Sequence, residues 1–477
     1  MSLSAEAYRS FAAQAAAALA DEMGGSEKQM LAQTFAELEA RMRAGMLKLA
    51  RMMLEKRLEM DPRSDTDRAF QCTNCQGRLR IQESQQVRRL ETEFGEVQYK
   101  RPYGVCDRCA ISYAPLDCGL GIPATGGSVR RAERICHAAV NARSFEAAAE
   151  ILREHDGIEL SAKQARVIAE AEGERLAEER TREVEAFRKG ELTFKTVPSP
   201  ALLVVTADGG RVQTRQSENG TAWKEDKVGG AYDAEPRKNP SAAKADEYEG
   251  AKAKTKTYVA SLTSWEEFGW MLCVEAWRRG YEGAKQKLFI SDGAVALKTL
   301  REFHFKDAVF VLDWYHAVEH LAACAKAAFG EGTEECARWY ERFKEKLWLG
   351  EIDAIVRAIE KESLRVGKPA AKEHEGSPRV VLHRNLGYFA ENRKGMDYPR
   401  FRAEGWPIGS GIAEGAVKQF GMRLKGTEKF WNGFGFGNGA EEMLALCALH
   451  RSEDGRWRAH WDKRARPYTR QPKQQGA

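Results

Sequence analysis

At 477 residues with 43% apolar content, the chain has room for about three or four folding units and enough apolar side chains to bury their cores. Charged residues reach 30%, yet the net charge is only +5, which excludes nucleic-acid recognition by overall basicity and leaves it to local clusters. No apolar run approaches the roughly 20 residues of a membrane span, and the amino terminus lacks a basic start, apolar core and cleavage site, so a cytoplasmic protein without membrane contact is expected.

Residues 1–60 read as helix, broken at Gly24-Gly25, with Ser26 capping a second segment. In that segment Leu31, Phe35, Leu38, Met42, Met46, Leu49 and Met53 recur at three- and four-residue steps, giving one apolar stripe roughly 30 Å long. Either this stripe pairs two copies of the chain or it packs on its own domain. Residues 61–125 carry Cys72-Thr-Asn-Cys75, a strand-like stretch from Glu91 to Tyr99, and Cys106-Asp-Arg-Cys109. Each Cys-x-x-Cys knuckle bends its chain so that two sulfurs face one point. Two of them 30 residues apart (76 to 105) can close a tetrahedron of thiolates, and a zinc ribbon is expected rather than disulfides among the ten cysteines. Arg78, Arg80, Lys100, Arg101 and Arg108 then form either a phosphate-contacting face or a solvated surface.

Residues 126–195 read as a helix-turn-helix region. A helix starts at Ser144, Asp156-Gly157 makes a turn, and Ser161 with Gln164 opens a second helix in a capping-box pattern. The first residues of such a second helix can enter a major groove, which nominates Lys163, Gln164 and Arg166 as DNA-reading side chains. The helix continues to about Lys189, and Gly190 to Pro200 read as a linker.

From Ala201 the periodicity changes. Strands are expected at Leu202 to Val205, Arg211 to Arg215, Thr257 to Leu262, Leu288 to Ser291 and Ala308 to Leu312, with helices at Glu266 to Arg279 and Ala294 to Phe303. The order β-β-β-α-β-α-β is that of a ribonuclease H-like fold, in which the first and fourth strands are central neighbours. Asp208 and Asp292 each follow an apolar run and precede glycine, which places two carboxylates side by side on a sheet rim. Glu414 follows Gly409-Ser-Gly411 and is expected in a helix's first turn, its carboxylate swung back to that rim. Three carboxylates meeting there could hold divalent metal for phosphodiester chemistry. Glu414 with Lys418 also has the spacing of an ordinary surface ion pair.

Asp313 also ends a strand and competes with Asp292 as second ligand, but the fifth strand is one position further from Asp208, which makes Asp313 a supporting residue that orients the substrate or a metal-bound water. Asp313 with His316 and His320 could instead form a zinc site of the hydrolase type, or the histidines could simply pack. Residues 321–405, with Trp339, Phe343 and Trp348, are too long for a loop and read as an all-helical insertion. Beyond Glu414, Lys418, Arg423, Lys425 and Lys429 interleave with Phe420, Phe430 and Trp431 as a basic, aromatic strip suited to backbone contact and base stacking. The tail 456–477 is basic and expected to be mobile.

The blocks Thr206-Ala-Asp-Gly-Gly-Arg-Val-Gln213, Phe289-Ile-Ser-Asp-Gly-Ala294, Val311-Leu-Asp-Trp-Tyr-His316 and Trp406-Pro-Ile-Gly-Ser-Gly-Ile-Ala-Glu-Gly415, followed by Arg423-Leu-Lys-Gly426, resemble bacterial insertion-sequence transposases of the ISKra group. These are relatives of Mutator-like transposases with an Asp-Asp-Glu active site, and the resemblance runs from about residue 68 to 450. It implies a DNA transposase that binds the terminal inverted repeats of its element and performs DNA cleavage and strand transfer with Mg²⁺ or Mn²⁺. Asp208, Asp292 and Glu414 would be its catalytic carboxylates, and Asp313 and His316 its secondary Cys/Asp-x-x-His signature.

The expected architecture is therefore a multidomain α+β chain. Amino-terminal helices, zinc ribbon and helix-turn-helix precede a ribonuclease H-like core in two parts, 196–320 and 406–455, around the helical insertion. Its expected partners are double-stranded DNA and further copies of itself. A non-catalytic DNA-binding regulator descended from a transposase, or a metal hydrolase using Asp313, His316 and His320, are the rival readings.

Overall fold

In a computed structural model, which describes residues 5–194, 197–215, 223–237, 247–426, 429, 431 and 439–468, the chain is mixed α and β and divides into two units, Met1–Ala169 with Trp457–Ala477, and Glu170–Arg456. The first unit starts with α1 (Ala5–Gly24), α2 (Glu27–Ala32) and α3 (Phe35–Glu59). The expected break at Gly24-Gly25 is present, and a second one follows at Thr34. There the Thr34 hydroxyl accepts from the Glu37 amide and the Glu37 carboxylate accepts from the Thr34 amide, so α3 is started by this reciprocal cap rather than by Ser26. Leu54 and Leu58 pack onto the ribbon, whereas Leu31, Phe35, Leu38, Met42 and Met46 stay exposed.

The ribbon is a four-stranded antiparallel sheet in the order β1 (Phe70–Gln71), β2 (Arg78–Thr92), β3 (Gly95–Cys106), β4 (Ser112–Tyr113). The single strand expected from Glu91 to Tyr99 is in fact a hairpin reversal, because Thr92 pairs with Gly95, its hydroxyl bonds the Phe94 amide and the Gly95 carbonyl, and Gly95 takes φ 103°. Behind β3 lies α4 (Pro115–Leu120), whose buried Asp117 accepts from the Tyr99 hydroxyl at 2.8 Å and pairs with Arg88 and Arg101. Arg101 is thereby withdrawn from the phosphate-contacting face expected of it. Next come α5 (Val129–Asn141), α6 (Phe145–Ile151) and the start of α7 (Ala162–Arg188), which close a small core around Ile135, Ala148, Leu152 and Ala165.

In the second unit the later turns of α7, through Val184 and Phe187, join the core of a five-stranded sheet. Its strands are β5 (Leu202–Gln213), β6 (Trp223–Glu235), β7 (Lys252–Ser261), β8 (Gln286–Ser291) and β9 (Val309–Leu312), in the order β7-β6-β5-β8-β9, with β5–β8 and β8–β9 parallel and the rest antiparallel. Two expectations are corrected. The runs 202–205 and 211–215 belong to one long strand, so Asp208 stands within β5, opposite Val228, rather than at its end; and the true second strand, β6, is rich in Lys, Asp, Glu and Gly. The β6 glycines serve close packing, since a Cβ on Gly229 would lie 3.0 Å from both Phe268 and Leu272.

One face of this sheet is covered by α8 (Trp265–Arg278) and α9 (Val295–His304). The other face packs against α10 (Trp314–Phe329), α11 (Glu334–Trp348), α12 (Ile352–Val366), α13 (Pro378–Glu391) and α14 (Tyr398–Glu404), which confirm an all-helical stretch after β9. Its aromatics are structural: Trp348 lies edge-on to Trp314 with centroids 5.0 Å apart, and Phe343 is buried beside Trp339. Then come α15 (Gly411–Leu424), α16 (Ala440–Arg451) and α17 (Arg456–Arg464). The tail expected to be mobile is ordered as far as it is described: Trp461 is fully buried, and the Tyr468 amide bonds the Cys118 carbonyl.

Glu275 on α8 is buried and bonds Arg456 at 2.7 and 3.1 Å and Arg278 at 2.9 Å. Burial pushes its carboxyl up, but the Arg456 and Arg278 guanidiniums outweigh burial and hold it at about 2, below the ordinary 4.5. The stabilisation is therefore intact above about pH 4.5 and lost as pH falls toward 2. Glu275→Gln is expected to destabilise the second unit by about 3–5 kcal/mol and to flatten the acid limb of its stability curve, read by urea unfolding between neutral and acid pH.

Candidate active site and candidate metal centre

In the first unit the two knuckles face each other, with Cys75 Sγ 3.4 Å from Cys106 Sγ and Cys72 Sγ 3.6 Å from Cys109 Sγ. The residue after each knuckle's second cysteine is left-handed, Gln76 at φ 60° and Ala110 at φ 57°. This curls the backbone so that the amides of Arg108 and Cys109 point at Cys106 Sγ, at 3.4 and 3.5 Å. The Cys109 amide above all, with that of Arg108, holds the Cys106 thiol below the ordinary thiol range against the effect of burial. All four sulfurs lie within 4.8 Å of one another, close to the edge of about 3.8 Å that zinc–sulfur bonds of about 2.3 Å would set in a tetrahedron. The group can hold a metal ion such as zinc.

In the second unit the expected carboxylates gather at one rim. Thr206 of β5 faces Ile290 of β8, and two residues further along the same parallel register Asp208 comes beside Asp292. Asp292 follows β8 directly. Its Oδ1 accepts from the Ala294 amide at 2.8 Å, and its carbonyl accepts from the Tyr388 hydroxyl at 3.0 Å. Glu414 lies in the first turn of α15, where its Oε1 is 3.3 Å from Ser410 Oγ and 3.7 Å from His316 Nε2. The electrostatics of Asp208 tie the four together. Burial raises its carboxyl above the ordinary range, the Gly209 amide at 2.7 Å opposes this, the negative charges of Asp292 and Glu414 raise it further, and His316 lowers it. Asp208, Asp292, Glu414 and His316 are all partly open to solvent.

Among the described residues the cysteines are the only group of three or more His, Cys, Asp or Glu whose ligand atoms all fall within 4.8 Å; Asp208, Asp292 and Glu414 stand wider apart. A single ion with oxygens at about 2.1 Å would need them closer, whereas a pair of ions about 3.5–4 Å apart is served by a wider set.

Asp313, expected as a supporting residue beside Asp292 or as its competitor for the second ligand position, has the surroundings of a positioning residue. It is fully buried, Oδ1 accepts from the Tyr315 and His316 amides at 2.7 and 3.0 Å as the cap of α10, and Oδ2 accepts from the Ser410 amide. Trp314 N also bonds the Ile408 carbonyl at 2.8 Å. These bonds fasten the loop before Glu414 to the helix that carries His316. His320 is engaged elsewhere, with Asn385 Oδ1 2.5 Å from its Nδ1 and the Tyr388 ring stacked at 3.8 Å, which removes the hydrolase-type zinc set.

The expected DNA-contacting residues divide. Lys163, Gln164 and Arg166 are exposed at the start of α7, and Gln164 Oε1 caps the Ser161 amide at 2.8 Å. Lys418 is 80% exposed, 3.9 Å from Glu414. Arg423 and Trp431 are buried, stacked on each other at 5.5 Å, and Trp431 Nε1 bonds the Leu424 carbonyl at 2.8 Å, so neither is a surface contact. Lys429 Nζ closes the end of α15 on the carbonyls of Met422, Arg423 and Lys425 at 3.3, 3.3 and 3.1 Å. Phe430 lies outside the described residues. Lys425 instead lies along the sheet, its Nζ 3.8 Å from Asp226, a fully buried residue that the sequence reading missed together with β6.

The family whose profile matches the chain is described as an uncharacterised protein family, UPF0236, and the match covers residues 30–465. No curated protein matches the chain.

Cys106→Ser, or a strong chelator, is expected to remove one bound zinc per chain and to lower the melting temperature of the ribbon, measured by metal analysis alongside a thermal melt. Asp313→Ala is expected to cost about 2–4 kcal/mol, because it strips a helix cap and leaves the Ser410 amide buried without a partner; chemical denaturation checks this.

Proposed function

From a chain that belongs to UPF0236, we propose a DNA transposase of the Asp-Asp-Glu type, similar to the ISKra group and its Mutator-like relatives and built on a ribonuclease H-like core. The observation that carries this reading is the convergence of Asp208, Asp292 and Glu414 around one rim, on neighbouring parallel strands and a facing helix, so that Asp208 feels the charge of both other carboxylates. The strand order, third-second-first-fourth-fifth, supports it too.

Three like charges crowded on a half-open rim form an oxygen donor set suited to Mg²⁺ or Mn²⁺. When bound, such ions supply a more acidic water and offset charge on the leaving oxygen. The chain's own residues do the rest. Asp208 and Asp292 are fixed by backbone amides and by the sheet register, so their oxygens are presented without reorganisation. Ser410 and His316 hold Glu414 turned toward them, and His316 can carry a proton at Nε2 beside it.

The reaction assigned is in-line attack on phosphorus, first by water at the element's end and then by the freed 3′-hydroxyl on target DNA. The second step and the terminal inverted repeats as substrate come from the family resemblance. The exposure of Lys163, Gln164 and Arg166 supports a role in reading the ends, and that of the stripe from Leu31 to Met46 supports pairing of copies into a homodimer or larger assembly.

Asp208→Asn is expected to abolish Mg²⁺-dependent cleavage of DNA carrying the sequences that flank the gene, by about a thousandfold or more, while binding of that DNA changes little. Cleavage assays paired with gel-shift binding decide it; retained cleavage would refute the assignment, and binding without any cleavage by the unaltered chain favours a DNA-binding regulator.

A further inference from the structure

Lys425 occupies a slot that the sheet and helix leave for it. A Cβ on Gly210 would sit 2.5 Å from Lys425 Nζ and 2.7 Å from Asp226 Oδ1, and a Cβ on Gly421, one turn earlier in α15, would sit 3.2 Å from Lys425 Cδ. Two glycines thus let the side chain lie flat between α15 and β5. Gly210 is two residues past Asp208 on the same strand, so both face the same side of the sheet about 6.6 Å apart along it. Gly210 pairs with Asp226 on β6, which puts Asp226 on that side as well. The ammonium is therefore lodged one pleat beyond the first candidate catalytic carboxylate.

The Asp226 carboxylate is fully buried, and neither oxygen accepts a hydrogen bond from any other described residue. A buried carboxylate in that condition is costly unless a cation stands by. Lys425 Nζ is that cation, but at 3.8 Å the contact is Coulombic rather than a hydrogen bond. The ammonium is held in place while, among the described residues, none of its three donors makes a hydrogen bond, and the side chain keeps 35% of its surface open. In the same strip Arg423 is buried, Lys429 closes the helix end and Lys418 points into solvent.

We infer that Lys425 binds a phosphate oxygen of the DNA strand lying across Asp208, and that Asp226 is the positioning residue that holds it there, in a slot made by Gly210 and Gly421. This rests on the proposed transposase reading and names a substrate contact within it.

The test uses the full-length chain and a labelled duplex carrying the DNA that flanks the gene. Binding is followed across a NaCl series in an Asp208→Asn background, and cleavage with Mg²⁺ in the otherwise unaltered chain, with thermal melts to confirm folding. Lys425→Gln is expected to reduce the slope of log affinity against log salt by about 0.9, one phosphate contact, and to slow cleavage about tenfold or more. Lys425→Arg is expected to keep the slope. Asp226→Asn and Gly210→Ala retain the charge but misplace it, so the slope is kept while kcat falls about tenfold with little change in KM. An unchanged slope and rate in Lys425→Gln overturns the phosphate contact, and an Asp226→Asn variant that cleaves like the unaltered chain overturns the positioning role. If the unaltered chain neither binds nor cleaves this DNA, the transposase reading itself fails and takes this inference with it.

Discussion

The parallel pairing of β5 with β8 is the constraint on which the candidate site depends. Asp208 and Asp292 are 84 residues apart in the chain, and nothing local brings them together; the in-register alignment of Thr206 with Ile290 does. A slip of one residue would turn Asp208 to the opposite face of the sheet, and since β5 is apolar on both sides, with Leu202 and Val204 on one and Leu203 and Val205 on the other, it is the pairing with β8 rather than hydrophobic pattern that fixes the acid's direction. Strand pairing and site geometry are here one constraint.

A second set of contacts brings in Glu414, about a hundred residues beyond β9 in sequence but adjacent in space. Asp313 caps α10 and holds the Ser410 amide, so the helix that presents His316 and the loop that presents Glu414 are fastened to one buried carboxylate. Tyr388, from the helical insertion, bonds the Asp292 carbonyl. The insertion thereby does more than fill sequence: it supports the strand end that carries the second acid. Against these ties work the burial of Asp208, which does most to raise its carboxyl, and the added repulsion of Asp292 and Glu414. A rim held together despite like-charge repulsion fits a site that exchanges this cost for cation binding.

The basic, aromatic strip after Glu414 shows how little composition says about where charge is used. Arg423 lies against Trp431 in the interior, and Lys429 satisfies carbonyls at a helix end. In the ribbon, Arg88 and Arg101 neutralise the buried Asp117 in the same way. Guanidinium and ammonium groups within reach of a buried acid or an open helix terminus gain more there than in water, so local sequence cannot tell an outward cation from an inward one.

Local patterns in the chain were enough for much of the architecture. The paired knuckles announced a cysteine cluster because their spacing is itself the geometry of the site. The capping box at Ser161, the helices after β7 and β8, and the turn into α15 were legible because caps, glycines and apolar periodicity act over a few residues. Strand β6 was not, since its Lys, Asp and Gly residues have poor strand propensity and take their conformation from the neighbours β5 and β7 on either side. With it Asp226 was missed. The sequence by itself nominated the candidate side chains: four thiols, the carboxylates at 208, 292 and 414, and a reserve of cations. Only the tertiary structure decided which of them meet, that Asp313 caps α10 and binds the Ser410 amide, and that the Lys425 ammonium lies against the buried Asp226, because those outcomes depend on strand register and burial between residues far apart in the chain.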